Sequence, residues 1–589
     1  MKQFFKFMFA SMLGTFLTLV VIIFISLMIL FGMVYSLKND TEAKVEKNSV
    51  LEIRLDENIT EHGTDESLPK INPLAQTIEN SIGLDQIVRS IGKAAEDENI
   101  KGIFLNVEQI EAGMSTVTEI RNALIEFKKS KKFITAYSEF YSQKAYYLAS
   151  VADKIYLNPE GYLDFRGLRS NPMFYKGTLE KLDVEAQVIK AGRYKSFGEP
   201  FSNDRMSQAN REQIEQLLST IWDDMLGNIS AARRISYADL KNISNNLLIR
   251  KAADAVSHKL ADEIAFYDEV EKELKKSCGT EEKSKLKSIT LSKYIKARGT
   301  ESAYSRNKIA VIYAVGGISG GSGDEENIGS ETISKAIRKA RLDTSVKAIV
   351  MRVNSPGGSA LASDVIWREV TLAKKVKPFV VSMGDVAASG GYYISCAADT
   401  IVAQPNTITG SIGVIGIFLN TQKFFSNKLG ITFDTVKTGR FSDFGSQNRP
   451  LTAEEKKIGE GEVERIYNGF IAHVAEGRNM NVADVDSIGQ GRVWSGVDAK
   501  KIGLVDVLGG LNDAIDIAAK MAKVGTYRII SLPEQKNFLE RILENISSDA
   551  KAENVREALG EAYPYYMQLK KVLNMRGMQA RMPMEIVIE

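Results

Sequence analysis

At 589 residues, with 44% hydrophobic and 25% charged side chains, the chain has the composition of a globular protein too long for one ordinary core. Seventy-six basic residues against 74 acidic ones leave a formal net charge of +2, and no charge excess advertises a nucleic-acid partner. Cys278 and Cys396 are the only cysteines, without a CxxC or a Cys/His ligand spacing, which argues against a structural zinc site and leaves two reduced thiols or one disulfide between them.

The first forty residues read MKQFFKFMFASMLGTFLTLVVIIFISLMILFGMVYSLKND, and nothing from Phe7 to Leu37 is charged. A hydrocarbon core about 30 Å thick needs about 20 apolar residues, so residues 7–37 suffice for one transmembrane helix. The competing reading is a cleaved signal peptide, whose apolar stretch runs about 7–15 residues and ends in small side chains. Here the stretch is about twice that length and Ser36-Leu37-Lys38 is a poor cleavage site, which favours an uncleaved anchor. Lys2, Lys6 and the amino terminus precede the span, whereas KNDTEAKVEK after it mixes both signs. The positive-inside rule therefore puts residues 1–6 in the cytoplasm and the bulk of the chain outside.

Beyond the anchor, one unit is written twice. Residues 101–159 (KGIFLNVEQIEAGMSTV…YYLASVADKIYLNP) align without a gap on 347–405 (KAIVMRVNSPGGSALAS…YYISCAADTIVAQP), pairing Lys101 with Lys347, Val107 with Val353, Tyr146 with Tyr392 and Asp153 with Asp399. VIKAGRYKSFG (188–198) likewise matches TVKTGRFSDFG (435–445). Within each copy, short apolar runs such as IAVIYAV and PFVVSMG alternate with stretches of helical periodicity such as ALASDVIWREVTLAKKV. That alternation predicts α/β domains with buried strands. The expected boundaries are 38–295 for the first domain, 296–530 for the second and 531–589 for a helical extension; the charged run 267–288 reads as a solvated helix and linker.

Differences between the copies separate what the fold requires from what chemistry requires. Opposite Ser389-Gly390-Gly391 the first copy has Gln143-Lys144-Ala145, and opposite NSPGGS it has EQIEAG. GDVAASGGYYIS follows a strand and opens a helical stretch, so Ser389 would sit where free backbone N–H groups can stabilise an anion. The glycines of PGG (356–358) can turn further N–H groups toward the same point. A serine N-cap beside a tight turn would look the same on this stretch alone. His62, His258 and His473 all lie outside both glycine motifs, and His473 in NGFIAHVAEG reads as a helix-face residue, so a serine/histidine triad fits poorly. A lysine remains as base if burial lowers its pKa. Lys195 in GRYKSFGEPFS faces Ser442 of the other copy, so each copy keeps one half of a possible pair.

With GRYKSFGEPFS, VNSPGGS, MGDVAASGGYYIS, TGSIGV and GRVWSGVDAKKIGLVD in place, the chain resembles the long, duplicated form of the signal peptide peptidase A (protease IV) family along nearly its whole length. The resemblance implies a tandem duplication of a crotonase-like (Clp-protease-like) α/β domain preceded by one transmembrane helix. It implies a serine protease acting on cleaved signal peptides, with Ser389 as nucleophile, Lys195 as general base, the Gly358 and Gly390 N–H groups as oxyanion donors and Ser411 as a supporting hydroxyl. It further implies a homotetramer in the bacterial inner membrane, facing the periplasm, with no cofactor, metal or nucleic acid. Asp385 departs from the small residue usual there in that family, which points to an altered substrate subsite. Glu199, four residues from Lys195, would keep the amine charged if paired with it, so the reading requires Glu199 to point away. Two alternatives stay open: a crotonase-fold acyl-CoA hydratase or isomerase, and a catalytically silent membrane scaffold.

Overall fold

The computed structural model describes residues 2–38, 44–63, 70–72, 77–79, 81–297, 305–323, 327–534 and 578–582. The chain opens with the helix Lys2–Lys38, whose stretch Gln3–Ile22 is long and apolar enough to cross a membrane. Phe7, Phe9, Leu13, Phe16 and Ile22 are exposed, as an anchor's side chains would be outside lipid.

Each repeat is built on a parallel sheet. In the first, the strands run in the order Glu263–Ile264, Lys154–Leu163, Phe133–Tyr141, Ile100–Asn106, Ser49–Ile53 and Ser288–Thr290, every neighbour parallel. In the second, Thr400–Ala403, Phe379–Ala388, Val346–Ser355, Lys308–Val315 and Arg528–Leu532 follow the same logic. The repeat is visible in the strand order: Phe133–Tyr141, Ile100–Asn106 and Ser49–Ile53 are successive neighbours in one sheet, as Phe379–Ala388, Val346–Ser355 and Lys308–Val315 are in the other. The central strands read as continuous apolar runs because helices cover both faces, as a parallel sheet requires. Ser49–Ile53, for example, is buried at all five positions.

A third sheet stitches the halves together. Its order is Asn327–Gly329, Gly317–Ser319, Gly357–Ser359, Gln579–Arg581, Val414–Asn420 and Glu185–Ala191. The last pair joins the two repeats, antiparallel from Val414 opposite Ala191 to Asn420 opposite Glu185.

Three expectations change. The run 267–288, inside the first domain as its expected boundary at 295 has it, is packed rather than a solvated linker: helix Tyr267–Ser277 buries Val270 and Leu274 in one apolar cluster with Val50, Phe104 and Tyr156, and Ser288–Thr290 extends the sheet. Its charges lie on the opposite face of an amphipathic helix, which the sequence alone cannot distinguish from a fully solvated one. The second domain runs to Leu532 through the strand Arg528–Leu532. Most of the expected helical extension lies outside the described residues, and its described part, around Gln579–Arg581, is a strand. Both cysteines are free and buried, in separate clusters; burial pushes the Cys278 thiol up to about 11 and the Cys396 thiol up to about 12.

Charge is buried at the junction. Arg352, inaccessible to solvent on Val346–Ser355, donates from Nε to Glu61 at 2.8 Å, from Nη2 to Glu119 at 2.9 Å and from Nη1 to Ser382 Oγ at 2.9 Å. Both carboxylates come from the first repeat. Glu119 also accepts the Leu511 N–H at 2.8 Å and Glu61 the Asn354 amide at 2.7 Å, so the network closes across the junction. Burial opposes the guanidinium charge, and the two carboxylates more than offset it. Arg352→Ala is expected to destabilise the protein by about 3–5 kcal/mol, because two buried carboxylates lose their counter-charge. Chemical denaturation of the ectodomain measures it, and a loss below about 1 kcal/mol would show that the junction does not depend on this residue.

Candidate active site

The strand Phe379–Ala388 ends one residue before Ser389, which caps the short helix Gly390–Ser395. Ser389 stands at φ 56°, ψ −113°. A residue with a Cβ enters that region at a cost on the order of 1–3 kcal/mol. Backbone bonds hold it there: the Ser389 N–H donates to the Gly410 carbonyl at 2.8 Å, and the Tyr393 N–H donates to the Ser389 carbonyl at 2.8 Å.

Lys195 comes from the other repeat. After Glu185–Ala191 the chain turns at Gly192, φ 113°, whose carbonyl accepts the Lys195 N–H at 3.2 Å. The second repeat then clamps the approach. The Gln490 carbonyl accepts the Tyr194 N–H at 2.8 Å, and Gln490 Oε1 accepts the Arg193 N–H at 3.3 Å. Gln213 bridges by donating to the Tyr194 carbonyl at 3.0 Å and accepting the Val493 N–H at 3.2 Å. Gly491, φ 78°, is required by close approach: a Cβ there would stand 2.6 Å from Lys195 N and 2.7 Å from Lys195 Cβ.

Lys195 Nζ lies 2.7 Å from Ser389 Oγ, 3.1 Å from Ser411 Oγ and 3.2 Å from the Ser411 carbonyl oxygen. All three residues are inaccessible to solvent. Burial pushes the amine well below its ordinary value. In the neutral form two N–H donors would serve the Ser411 oxygens and leave the lone pair for the Ser389 hydroxyl. Ser411, at φ 50°, is itself fixed by its N–H donating to the Arg492 carbonyl at 2.7 Å. Glu199 points elsewhere, accepting from the Ser207 N–H at 3.1 Å, Ser207 Oγ at 2.6 Å and Asn210 Nδ2 at 3.1 Å.

The predicted glycines converge on the same spot. A Cβ on Gly357, φ 95°, would stand 2.6 Å from Gly390 N, and a Cβ on Gly358 would stand 2.1 Å from the Ile318 carbonyl oxygen, so neither tolerates a side chain. The residues that align with Ser389 and Lys195 in the other copies make backbone hydrogen bonds. Gln143, opposite Ser389 in the alignment, accepts the Arg166 and Gly167 N–H groups at 3.0 and 2.8 Å and donates to the Gly167 carbonyl at 3.1 Å. Ser442, the counterpart of Lys195, is exposed and bonds only the Gly439 backbone, through its carbonyl at 2.9 Å and its N–H at 3.0 Å.

Asp385 does not line a subsite, contrary to expectation. Its carboxylate accepts the Thr116 N–H at 2.9 Å and the Thr116 hydroxyl at 2.6 Å, capping the helix Met114–Lys128 of the first repeat. The histidines are engaged elsewhere: His473 stacks on Trp367 at 3.6 Å and lies 3.3 Å from Asp364, while His62 pairs with Asp85 at 2.8 Å. Sequence reasoning missed Gln490, Gly491 and Gln213, which position Lys195; the run GQGR was the available signal for the first two.

Comparison with known proteins shows the family. Peptidase family S49 matches residues 126–281 and 371–525, one stretch in each repeat. Protease 4 of Salmonella typhi is 39% identical over 484 residues, 80% of this chain and 77% of its own. The chloroplastic serine protease SPPA of Arabidopsis thaliana is 35% identical over 517 residues, 86% of this chain and 74% of its own. Among solved structures, a point mutant of ClpP1 from Listeria monocytogenes matches 35% of this chain and 94% of its own at 18% identity and a TM-score of 0.24. An α/β chain with a duplicated domain and a buried, strained serine at a helix start is thus a serine protease. It belongs to peptidase family S49, and the tandem duplication of an α/β domain stands.

Two outcomes follow from the geometry. Gly491→Ala is expected to cut kcat/KM on a short peptide by about 100-fold, since displacing a reacting group by about 1 Å costs that much; a change below about threefold would show that the Lys195 backbone adapts. Stability should also depend on pH through this amine. Its folded pKa is depressed below the unfolded value of about 10.4, so the unfolded chain binds the extra proton between those two values and stability rises with pH across that window. The stability of Lys195→Met relative to the unsubstituted protein should therefore improve as pH falls from about 10 to about 7, measured by urea titration. A difference that stays constant would mean that the folded amine is charged.

Proposed function

We propose that the chain is a membrane-anchored endopeptidase that degrades released signal peptides and other unstructured apolar peptides, with Ser389 as nucleophile and Lys195 as general base. The observation that carries this reading is the buried 2.7 Å contact between Lys195 Nζ and Ser389 Oγ, with Ser411 as the amine's other partner. As Ser389 Oγ attacks a peptide carbonyl, its proton passes to Lys195 and then to the departing amine. The Gly358 and Gly390 N–H groups supply the donors for the tetrahedral oxyanion. The groove lies between Gly357–Ser359 and Val414–Asn420, two strand edges that an extended peptide fills through backbone hydrogen bonds. A folded protein cannot offer such a strand, which favours released segments. An acyl-CoA enzyme needs neither this pair nor an anchor.

The N-terminal helix, with its basic flank at residues 2 and 6, supports a single-pass inner-membrane topology with the domains on the periplasmic side. The duplication supports assembly. Glu185–Ala191 pairs with Val414–Asn420 of the other repeat, but its own counterpart, 432–438, forms no regular structure and leaves Phe433 and Val436 exposed, with Leu429 and Ile431 exposed just before it. Seating that segment on the first repeat of a second chain repeats the same contact head to tail, and a rotation that closes gives a ring, here of four chains.

Ser389→Ala and Lys195→Ala are each expected to abolish peptide hydrolysis, and the double variant should be little worse than either, because a nucleophile and its base act as one unit. Gln143→Ala and Ser442→Ala should keep most activity. The ascending limb of kcat/KM against pH should disappear with Lys195; substantial turnover by either dyad variant would overturn the assignment. For assembly, the ectodomain carrying Phe433→Asp and Val436→Asp should shrink from tetramer to monomer in light scattering, and an unchanged mass would place the interface elsewhere.

A further inference from the structure

Beside Lys195 stands a second basic side chain that the reaction does not use. Arg492 follows Gly491, and its carbonyl accepts the Ser411 N–H at 2.7 Å. Its side chain is only 21% exposed, and its Nε is buried without a hydrogen-bond partner among the described residues. Aromatic rings hold it instead. The guanidinium carbon stands 4.9 Å from the ring centroid of Tyr194, in the first repeat, and 4.6 Å from that of Trp494, in the second. We propose that Arg492 is a positioning residue: its guanidinium, clamped between these two rings, holds the turn that carries Lys195 in register with the strand end that carries Ser389. The proposal rests on the reading of Ser389 and Lys195 as the catalytic pair.

Each ring leads to one half of that pair. Tyr194 immediately precedes Lys195. Its hydroxyl donates to Glu212 Oε1 at 3.2 Å, and Arg492 Nη1 lies 3.5 Å from that hydroxyl and 3.6 Å from the same carboxylate oxygen. Helix Gln208–Arg233, which carries Glu212, thereby ties the ring to the first repeat. Trp494 lies on the strand Val493–Ser495, which pairs antiparallel with Ile408–Gly410. Its indole N–H donates to the Ile488 carbonyl at 3.0 Å, and its Cδ1 stands 2.8 Å from where a Gly410 Cβ would be. The Gly410 carbonyl in turn accepts the Ser389 N–H at 2.8 Å. From base to nucleophile the path runs Lys195, Tyr194, Arg492, Trp494, Gly410, Ser389, and the arginine carries it across from one repeat to the other.

A flat cation suits this place better than a neutral side chain of equal length. Ring faces attract positive charge, and a guanidinium can lie against two rings while its edge donates to a carboxylate. The ion pair with Glu212 is a minor part of this, since that carboxylate is 44% exposed. Arg193 lies over the Tyr194 ring as well, at 5.4 Å. Arg193 and Glu212 are thus the charged groups around the clamp, whereas the Lys195 amine contacts Ser389 and Ser411.

The duplication marks the same residues. Residues 251–262 align on 495–506, pairing Asp254 with Asp498 and Asp262 with Asp506. The structure keeps that alignment: Asp262 accepts the Ile155 N–H at 2.8 Å, and Asp506 accepts the N–H of its counterpart Ile401 at 2.7 Å. Opposite Arg492 and Trp494 the first copy then has Leu248 and Arg250. The fold is built without the arginine and the tryptophan in one copy, and the copy with the serine has both.

Steady-state kinetics of the full chain in detergent, on a short apolar peptide over a range of pH, tests this. Arg492→Ala is expected to lower kcat by about 10- to 100-fold with KM within about twofold, as misplacing a reacting group does. It should also move the ascending limb of kcat/KM toward higher pH, because water reaches the Lys195 amine and returns its pKa toward about 10.4. Arg492→Met fills the space between the rings without charge and should fall with Arg492→Ala, while Arg492→Lys should recover part of the rate. Tyr194→Leu removes one ring face and tests the clamp even where Arg492→Ala fails to fold: the same fall in kcat and the same shift of the limb are expected, with Tyr194→Phe losing less. A kcat within about threefold of the unsubstituted protein, a loss confined to KM, or a lower rate with the limb unmoved would overturn the clamp and leave the catalytic pair standing. Full activity of Arg492→Met would overturn it too, by showing that volume alone matters. Hydrolysis that survives Ser389→Ala or Lys195→Ala would overturn the pair itself, and the clamp with it.

Discussion

Everything at the centre of this protein depends on keeping one lysine amine dry and away from carboxylates. In water that amine carries a proton and can accept none. Here burial disfavours the charged form, and hydroxyl and carbonyl oxygens of Ser411 take the place a counter-ion would fill. The nearest acidic neighbour in sequence, Glu199, is occupied by Ser207 and Asn210 on the far side of the turn. Acidic charge that the junction does bury is balanced separately, by Arg352, so a dry lysine and a charged cluster coexist in one interface.

The same requirement explains why two repeats are needed. Neither half alone can enclose Lys195: the first supplies its backbone, while Gln490, Gly491 and Ser411 of the second wall it in. The two copies differ at both positions. Gln143, opposite Ser389, is a backbone clamp, and Ser442, opposite Lys195, sits in an exposed turn. What survives in both copies, the parallel strands and their covering helices, is what folding requires.

Much of this was legible in the sequence because differences between copies marked chemistry and similarities marked fold. Ser389, Lys195, Ser411 and both glycines lie together as the motifs suggested. Three things were hidden for physical reasons. The run 267–288 looked solvated because its few apolar residues, Val270 and Leu274, lie one turn apart on a single face. Asp385 looked like a subsite change because its partner Thr116 is 269 residues away. The tail strand gave no periodic signal, since three paired residues beside Met578 and Met582 are too short a run to stand out.

The strand exchange between the repeats also has a temporal side. Glu185–Ala191 finds its partner only when Val414–Asn420 exists, about 220 residues later, which at roughly 5–20 residues per second means an interval on the order of ten to forty seconds during synthesis. Through that interval Glu185–Ala191 has no partner strand, and its unpaired N–H and C=O groups invite wrong pairing. Through the same interval Lys195 has neither Ser389 beside it nor Ser411 and Gly491 to keep it dry. The contact between Lys195 and Ser389 is thereby postponed until most of the chain has been made.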